Sequence, residues 1–337
     1  MSLVYFRDQT QAFARLRLGG KDRKRFLHGV VSNDIQGLAP GQGCHAAMLT
    51  IKGKLVADLW AYDCGEAGLL LRTVGSAAAN LQAALERYLI MDDAVITDAG
   101  AELAELALFG EGAAALLSAT CGLTLATSPL PAYGFVVASS GLHVAATPEL
   151  ALPGFVVWGP PPAIATLQAA VVAAGALPLA DAHYTALRIA AGTPLFGVDM
   201  DEERMPGEAG LESAISYKKG CFLGQEVVVR LRDRGQLNRR LCGLRLSGPG
   251  ALPPVGAVLT HATRPSAGHL TSVAHSDDWG DLALGYVHRS LWDPGTELQL
   301  QTASGEALSH TATVVELPLA PRRSYPSLAP PSQRSYP

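Results

Sequence analysis

A thiol set between two glycines and next to two lysines is the sharpest chemical feature of this chain. It lies in Tyr217-Lys218-Lys219-Gly220-Cys221-Phe222-Leu223-Gly224-Gln225-Glu226. Gly220 and Gly224 permit tight backbone geometry or close approach of a ligand. Adjacent cations stabilise a thiolate, so lysines facing Cys221 would make it reactive. Spacing alone fits a buried, inert cysteine equally well. The same stretch opens a basic run of Lys218, Lys219, Arg230, Arg232, Arg234, Arg239, Arg240 and Arg245, opposed by Glu226 and Asp233. Residues 218–245 therefore carry +6 in a chain of net charge −4. Such a stripe suits an anionic ligand (phosphate, polycarboxylate or RNA), and it also suits a solvated face.

The other candidates are more scattered. Ser32-Asn33-Asp34 has the composition of a turn. Tyr5, Phe6 and Phe26 are aromatics for a ring slot or for a core. His28, His183 and His288 lack metal-ligand spacing and read as structural, so no metal site is expected. No GxGxxG follows a strand and no GxxxxGKS/T occurs, which argues against dinucleotide and nucleoside triphosphate chemistry.

These residues sit in a chain of 337, long enough for about two domains. With 17 % charged and 48 % hydrophobic residues it has the composition of a folded protein. The net charge argues against a globally basic nucleic-acid binder and leaves a local basic face open. The five cysteines (Cys44, Cys64, Cys121, Cys221, Cys242) are odd in number and form no CxxC. That disfavours a disulfide scaffold and a zinc ribbon. Arg7 and Asp8 precede any apolar run, unlike a signal peptide, so a cytoplasmic location is expected. Between Gly112 and Ala180 the only formal charge is Glu149. Glycines and prolines interrupt this stretch, and its best helical piece, 163–174, spans about 18 Å, too short for a membrane.

Alternation of apolar and polar residues predicts strands at 13–18, 69–74, 94–98, 103–109, 134–138, 142–146 and 154–158, and a hairpin over 46–62 turning at Lys52-Gly53-Lys54. Helices are expected at 21–31, 112–118 and 163–174. Another starts at an N-cap Ser76, with Leu81, Ala84, Leu85, Tyr88 and Leu89 on one face, and a last one is capped by Asp181 and ended by Gly192. The mixture argues for an α+β fold. Beyond residue 240, strand-like runs at 241–246, 256–260, 268–274, 282–287 and 297–301 predict a small all-β barrel or sandwich. The last residues repeat RSYP in a Pro/Ser-rich run and are expected to be a disordered tail.

The run LRIAAGTPLFGVDMDEERMPGEAGLESAISYKKGCFLGQEVVVRLRDRGQLNRRL (187–241) resembles the YgfZ branch of the glycine-cleavage T-protein superfamily. These are folate-binding proteins linked to iron–sulfur cluster maintenance. KGCFLGQE (219–226) looks like that branch's motif. GGKDRKRFLHGVVSNDIQGLAPG (19–41) and GHLTSVAHSDDWGDLALGYV (268–287) resemble the superfamily's N-terminal segment and barrel. The resemblance covers about residues 1–317. It implies two mixed α/β subdomains around a central channel for tetrahydrofolate (1–238), a C-terminal β-barrel (239–317) and the tail (318–337).

It also implies where chemistry should sit. The T-proteins carry a catalytic aspartate after the strand near 69–74, where this chain has Arg72-Thr73-Val74-Gly75-Ser76-Ala77. Their pterin-binding glutamate aligns with Ala190. A methyl group can neither take a proton nor accept a pterin N–H, so both departures count against aminomethyl transfer. Glu208 is the candidate substitute. Lys219 aligns with a basic residue that meets folate, and a cation there can pair with the folate's glutamate carboxylates. Asn33 lies in the segment near the channel.

The expectation is a tetrahydrofolate-binding accessory protein that supports iron–sulfur cluster assembly or repair, with Cys221 as its key residue and iron–sulfur enzymes or assembly factors as partners. One alternative is a folate-dependent one-carbon (aminomethyl) transferase, using Asp34, Asp92 or Asp93 as the acid. The other is an RNA-binding accessory of tRNA modification, resting on the basic stripe.

Overall fold

The computed structural model describes residues 3–125, 127–235 and 237–319. Nearly all of the expected tail, 320–337, lies outside the described residues.

The first sheet comprises β2 (Phe13–Gly19), β3 (Gly43–Leu49), β4 (Leu55–Asp63), β5 (Leu69–Val74) and β6 (Val95–Asp98), in the order β3-β4-β5-β2-β6. Helices α1 (Arg23–Val30) and α2 (Ala78–Tyr88) belong to this part of the chain. β4 and β5 are nearly or wholly buried along their length, as strands covered on both faces are. The second sheet takes β1 (Tyr5–Asp8), β7 (Ala104–Phe109), β8 (Phe135–Val137), β9 (His143–Thr147), β10 (Gly154–Gly159) and β11 (Leu177–Pro178), in the order β11-β1-β7-β10-β9-β8. It carries α3 (Ala113–Cys121) and α4 (Pro161–Ala173).

α5 (Asp181–Ala191) ends at Gly192, whose φ of +77° suits a glycine C-cap. α6 (Gln225–Arg234) follows. Six strands then close a barrel in the order β12-β15-β14-β13-β16-β17: β12 (Arg239–Ser247), β13 (Val258–His261), β14 (Arg264–Ser276), β15 (Gly280–His288), β16 (Glu297–Gln301) and β17 (Ala307–Val315). The barrel fills its interior with Leu244, Leu259, Leu270, Leu298 and Val314. Its outward Ala274, Trp279, Leu282 and Leu284 join the main core, and α5 packs on β14 and β15.

Several local expectations are corrected. Ser76 does not cap α2. It lies in a 3₁₀ turn, and its hydroxyl donates to the Phe196 carbonyl at 3.3 Å. Asp181 is the first helical residue rather than a cap, and its carboxylate takes Arg7 Nη1 at 2.5 Å. α6 was not anticipated, because Val227, Val228 and Val229 favour strand. At the C-terminal end, Leu317 packs on Gly192 and Gly243, and Leu319 N–H donates to the Ala190 carbonyl at 2.8 Å. Among the described residues no helix is long and apolar enough to cross a membrane.

Candidate functional site

The space between the two sheets contains charge. Arg72 on β5 is 1 % exposed. Its Nε donates to both oxygens of Glu105 at 2.9 and 3.1 Å, Nη1 to Glu149 at 2.7 Å, and Nη2 to Gln9 at 3.0 Å. Its guanidinium carbon lies 3.4 Å from the Phe13 ring centroid and 4.7 Å from that of Trp60. Burial disfavours the Arg72 charge, but the two carboxylates more than offset this and raise its pKa.

One strand away, β4 turns Asp58, Trp60 and Tyr62 to one face by its two-residue repeat. Asp58 Oδ1, Trp60 Nε1 and Tyr62 Oη are all buried without a hydrogen-bond partner. The indole lies near the Tyr133 phenol but outside hydrogen-bond geometry. Asp58 Oδ2 meets His45 Nε2 at 3.0 Å, and the His45 ring stacks on Trp60 at 4.8 Å. Burial pushes the Tyr62 phenol well above its ordinary pKa, keeping it neutral. An acceptor, an N–H donor and a hydroxyl are thus presented in sequence along one strand.

The Cys221 loop is tied to the end of α1. Lys219 is 9 % exposed, and its ammonium donates to the carbonyls of His28, of Val31 at 2.7 Å and of Asn33 at 3.0 Å. An ammonium has only three donors. A ligand carboxylate at Lys219 would therefore have to replace a carbonyl. Burial lowers the Lys219 pKa to about 8, with Asp34 and Cys44 opposing. Asn33 Nδ2 donates to the His45 carbonyl at 2.7 Å, so Lys219, Asn33, His45 and Asp58 form a connected set. Gly220 and Cys221 are exposed. Gly224 has a φ of +77° at the start of α6, where Gln225 and the exposed Glu226 open the helix.

Of the remaining predicted residues, Asp34 adjoins this set, its N–H donating to Asn33 Oδ1 at 2.8 Å, and the others lie apart from it. Glu208 is occupied: Oε1 accepts from Arg239 Nε at 3.0 Å and Oε2 from Met205 N–H at 3.2 Å. Ala190 is fully buried, next to Leu319. Asp92 and Asp93 pair with Arg25 and Lys21. Asp34 lies 3.2 Å from His28 Nδ1. The basic run does not act as one stripe. Lys219 is buried, Arg239 pairs with Glu208, Arg240 donates to the Trp292 carbonyl, and Arg232 pairs with Asp233 and covers Tyr217. A separate apolar cavity of about 680 Å³, lined by Leu125, Leu130, Leu150, Phe155 and Leu319 among others, shares no residue with the β4 face.

The β4 face and its partner His45 are what reasoning on the sequence missed. The stretch 69–77 carries no acid, and Asp58 lies on the strand that neighbours β5. The available signal was Asp58 inside the otherwise apolar run LVADLWAY. For Arg72 the signal was Glu149, alone in a charge-free stretch.

Two family models match this architecture. The GCVT N-terminal domain matches residues 7–219, and the glycine cleavage T-protein C-terminal barrel domain matches residues 239–320. A chloroplastic protein of Arabidopsis thaliana, named as a transferase, is 28 % identical over 94 % of this chain and 71 % of its own length. An aminomethyltransferase of Prochlorococcus marinus is 29 % identical over 92 % of this chain and 85 % of its own. The crystal structure of glycine cleavage system aminomethyltransferase T from Bartonella henselae superposes with a TM-score of 0.83 at 21 % identity, covering 95 % of this chain and 88 % of that one. That likeness establishes the shared fold. Two sheets enclosing a buried polar face, followed by a closed barrel, are thus matched by sequence over most of the length, and the chain belongs to the glycine-cleavage T-protein (GCVT) family.

Proposed function

We propose that this chain is a YgfZ-type protein that binds tetrahydrofolate or a derivative and supports iron–sulfur cluster assembly or repair through Cys221. The β4 face carries the folate part of this assignment. A buried polar atom left without a partner costs about 1–3 kcal/mol, so Asp58 Oδ1, Trp60 Nε1 and Tyr62 Oη mark a surface suited to a polar ligand. Their order fits the edge of a pterin, which offers N–H donors and a carbonyl. Asp58 would accept from the ring N–H groups, Trp60 and Tyr62 would meet its acceptors, and the sheets would keep water away. Bound folate supplies a carrier for one-carbon units. Cys221 is the exposed thiol, whereas Cys44 and Cys64 are half-buried and Cys121 and Cys242 buried. That exposure suits contact with a client protein. Calorimetric titration with tetrahydrofolate tests the first part: micromolar binding weakened by Asp58→Asn supports it, and no binding to the native protein sinks it. Complementation of a strain lacking such a factor tests the second part, where full rescue by Cys221→Ser sinks the role of the thiol.

A second reading, a folate-dependent one-carbon transferase, is favoured by the buried His45–Asp58 pair and by relatives named aminomethyltransferase. An ionised Asp58 can take a proton from an amine held at this face. Turnover of a methylamine donor with tetrahydrofolate, lost in Asp58→Asn, would favour it over the accessory role.

A further inference from the structure

We infer that His45 is a positioning residue for Asp58: it holds one carboxylate oxygen so that the other meets the N–H edge of a bound heterocycle. This rests on the folate reading above. An ionised carboxylate only accepts, so His45 Nε2 is the donor across the 3.0 Å contact. The two side chains are 10 % and 4 % exposed. Both residues are held from behind. The His45 ring is stacked on Trp60 with an interplanar angle of 10°, and its carbonyl accepts from Asn33 Nδ2. The Asp58 carbonyl accepts from Thr73 Oγ1 at 2.7 Å. Rotation of the Asp58 carboxylate would break its bond to His45, so Oδ1 keeps its aim.

The pairing also supports the charge. A carboxylate buried without a donor favours its protonated form, which would give where it should accept. Groups on the neighbouring elements do not replace His45. Tyr133, which precedes β8, brings a neutral phenol whose pKa burial raises to about 12. Arg72 on β5 is matched by Glu105 and Glu149. Lys219 is committed to carbonyls.

The test compares tetrahydrofolate affinity in the full chain and in His45→Phe, His45→Gln, Asp58→Asn and the double variant His45→Phe/Asp58→Asn. Phenylalanine keeps the stack on Trp60 and removes the donor, whereas glutamine keeps an N–H donor. Loss of a charge-assisted hydrogen bond predicts binding about tenfold weaker or worse in His45→Phe. Affinity should recover to within about threefold in His45→Gln, and the double variant should bind no worse than Asp58→Asn. A merely structural histidine would not be rescued by glutamine. Native-like affinity in a folded His45→Phe, or losses that add in the double variant, would overturn the assignment. The His45 Nε2–H proton, followed by NMR without ligand, reads the pair even if folate does not bind. A downfield, exchange-protected signal that is weakened in Asp58→Asn is expected, and an unprotected signal in the native protein also overturns the assignment.

Discussion

Lys219 and Asn33, 186 residues apart, meet at 3.0 Å where the ammonium donates to the carbonyl. With the carbonyls of His28 and Val31, this bond ends α1 and anchors the loop that exposes Cys221. A cation at a helix C-terminus also favours the helix dipole. Lys219→Met would leave these carbonyls without their donor, and a loss of about 3 kcal/mol in urea unfolding at pH 7 is expected.

The same lysine makes stability depend on pH. Burial lowers its pKa from the ordinary 10.5 to about 8. Between these values the unfolded chain holds a proton that the folded chain has released. The added stability linked to this proton release is therefore fully present above 10.5 and is lost as pH falls through about 8, leaving at pH 7 only what the ammonium–carbonyl bonds contribute. Unfolding free energy from pH 8 to 10 should rise more steeply in the native protein than in Lys219→Met. Equal slopes would contradict the shift.

Arg72 offers a test of the charge between the sheets. Arg72→Met leaves Glu105 and Glu149 buried without their cation, and destabilisation of about 3–5 kcal/mol is expected. Adding Glu105→Gln and Glu149→Gln removes the unmatched charge and should recover part of that loss. Denaturant midpoints would read both effects, and a lone Arg72→Met as stable as the native protein would be incompatible with this pairing.

Elements set by local periodicity were legible in the sequence. The 46–62 alternation became β3 and β4 around a Gly53 turn, and Leu81 and Leu85 mark the buried side of α2. The α+β class and the C-terminal barrel followed from pattern and resemblance. What depends on contacts between distant segments was not legible. Asp58 looks like an ordinary polar position until β4 is covered on both faces. Nothing in spacing pairs Arg72 with Glu149, 77 residues away, or commits Lys219 to carbonyls near 31. The basic run looked continuous because its charges are neighbours in sequence. In the fold α6 and β12 send them to different partners.

The thiols should differ sharply in reactivity. Cys221 is exposed, while burial pushes Cys44 up to about 12 and Cys64 up to about 11. A disulfide reagent at pH 8 should titrate one fast equivalent in the native protein, with the others slower by about 100-fold, because the thiolate is the attacking species. Cys221→Ser should lose the fast phase. A fast phase that persists would assign it to another cysteine.

Gly224 joins the Cys221 loop to the β3–β4 hairpin. Its φ is +77°, and a Cβ there would lie 2.5 Å from the Thr50 carbonyl oxygen and 3.1 Å from Gly53 Cα. These are backbone atoms of a tight turn and cannot swing aside as a flexible side chain would. Gly250 provides the control: its φ is +88°, with nothing within 4 Å of a built Cβ. Gly250→Ala therefore carries only left-handed strain, about 1–2 kcal/mol. Gly224→Ala carries that strain plus the clash and is expected to cost about 2 kcal/mol more in urea unfolding. It should also loosen the hairpin from α6, since Gly53 packs on Val227 across the same contact. Equal losses in the two variants would show that the hairpin yields without cost, and that Gly224 is needed for its backbone conformation alone.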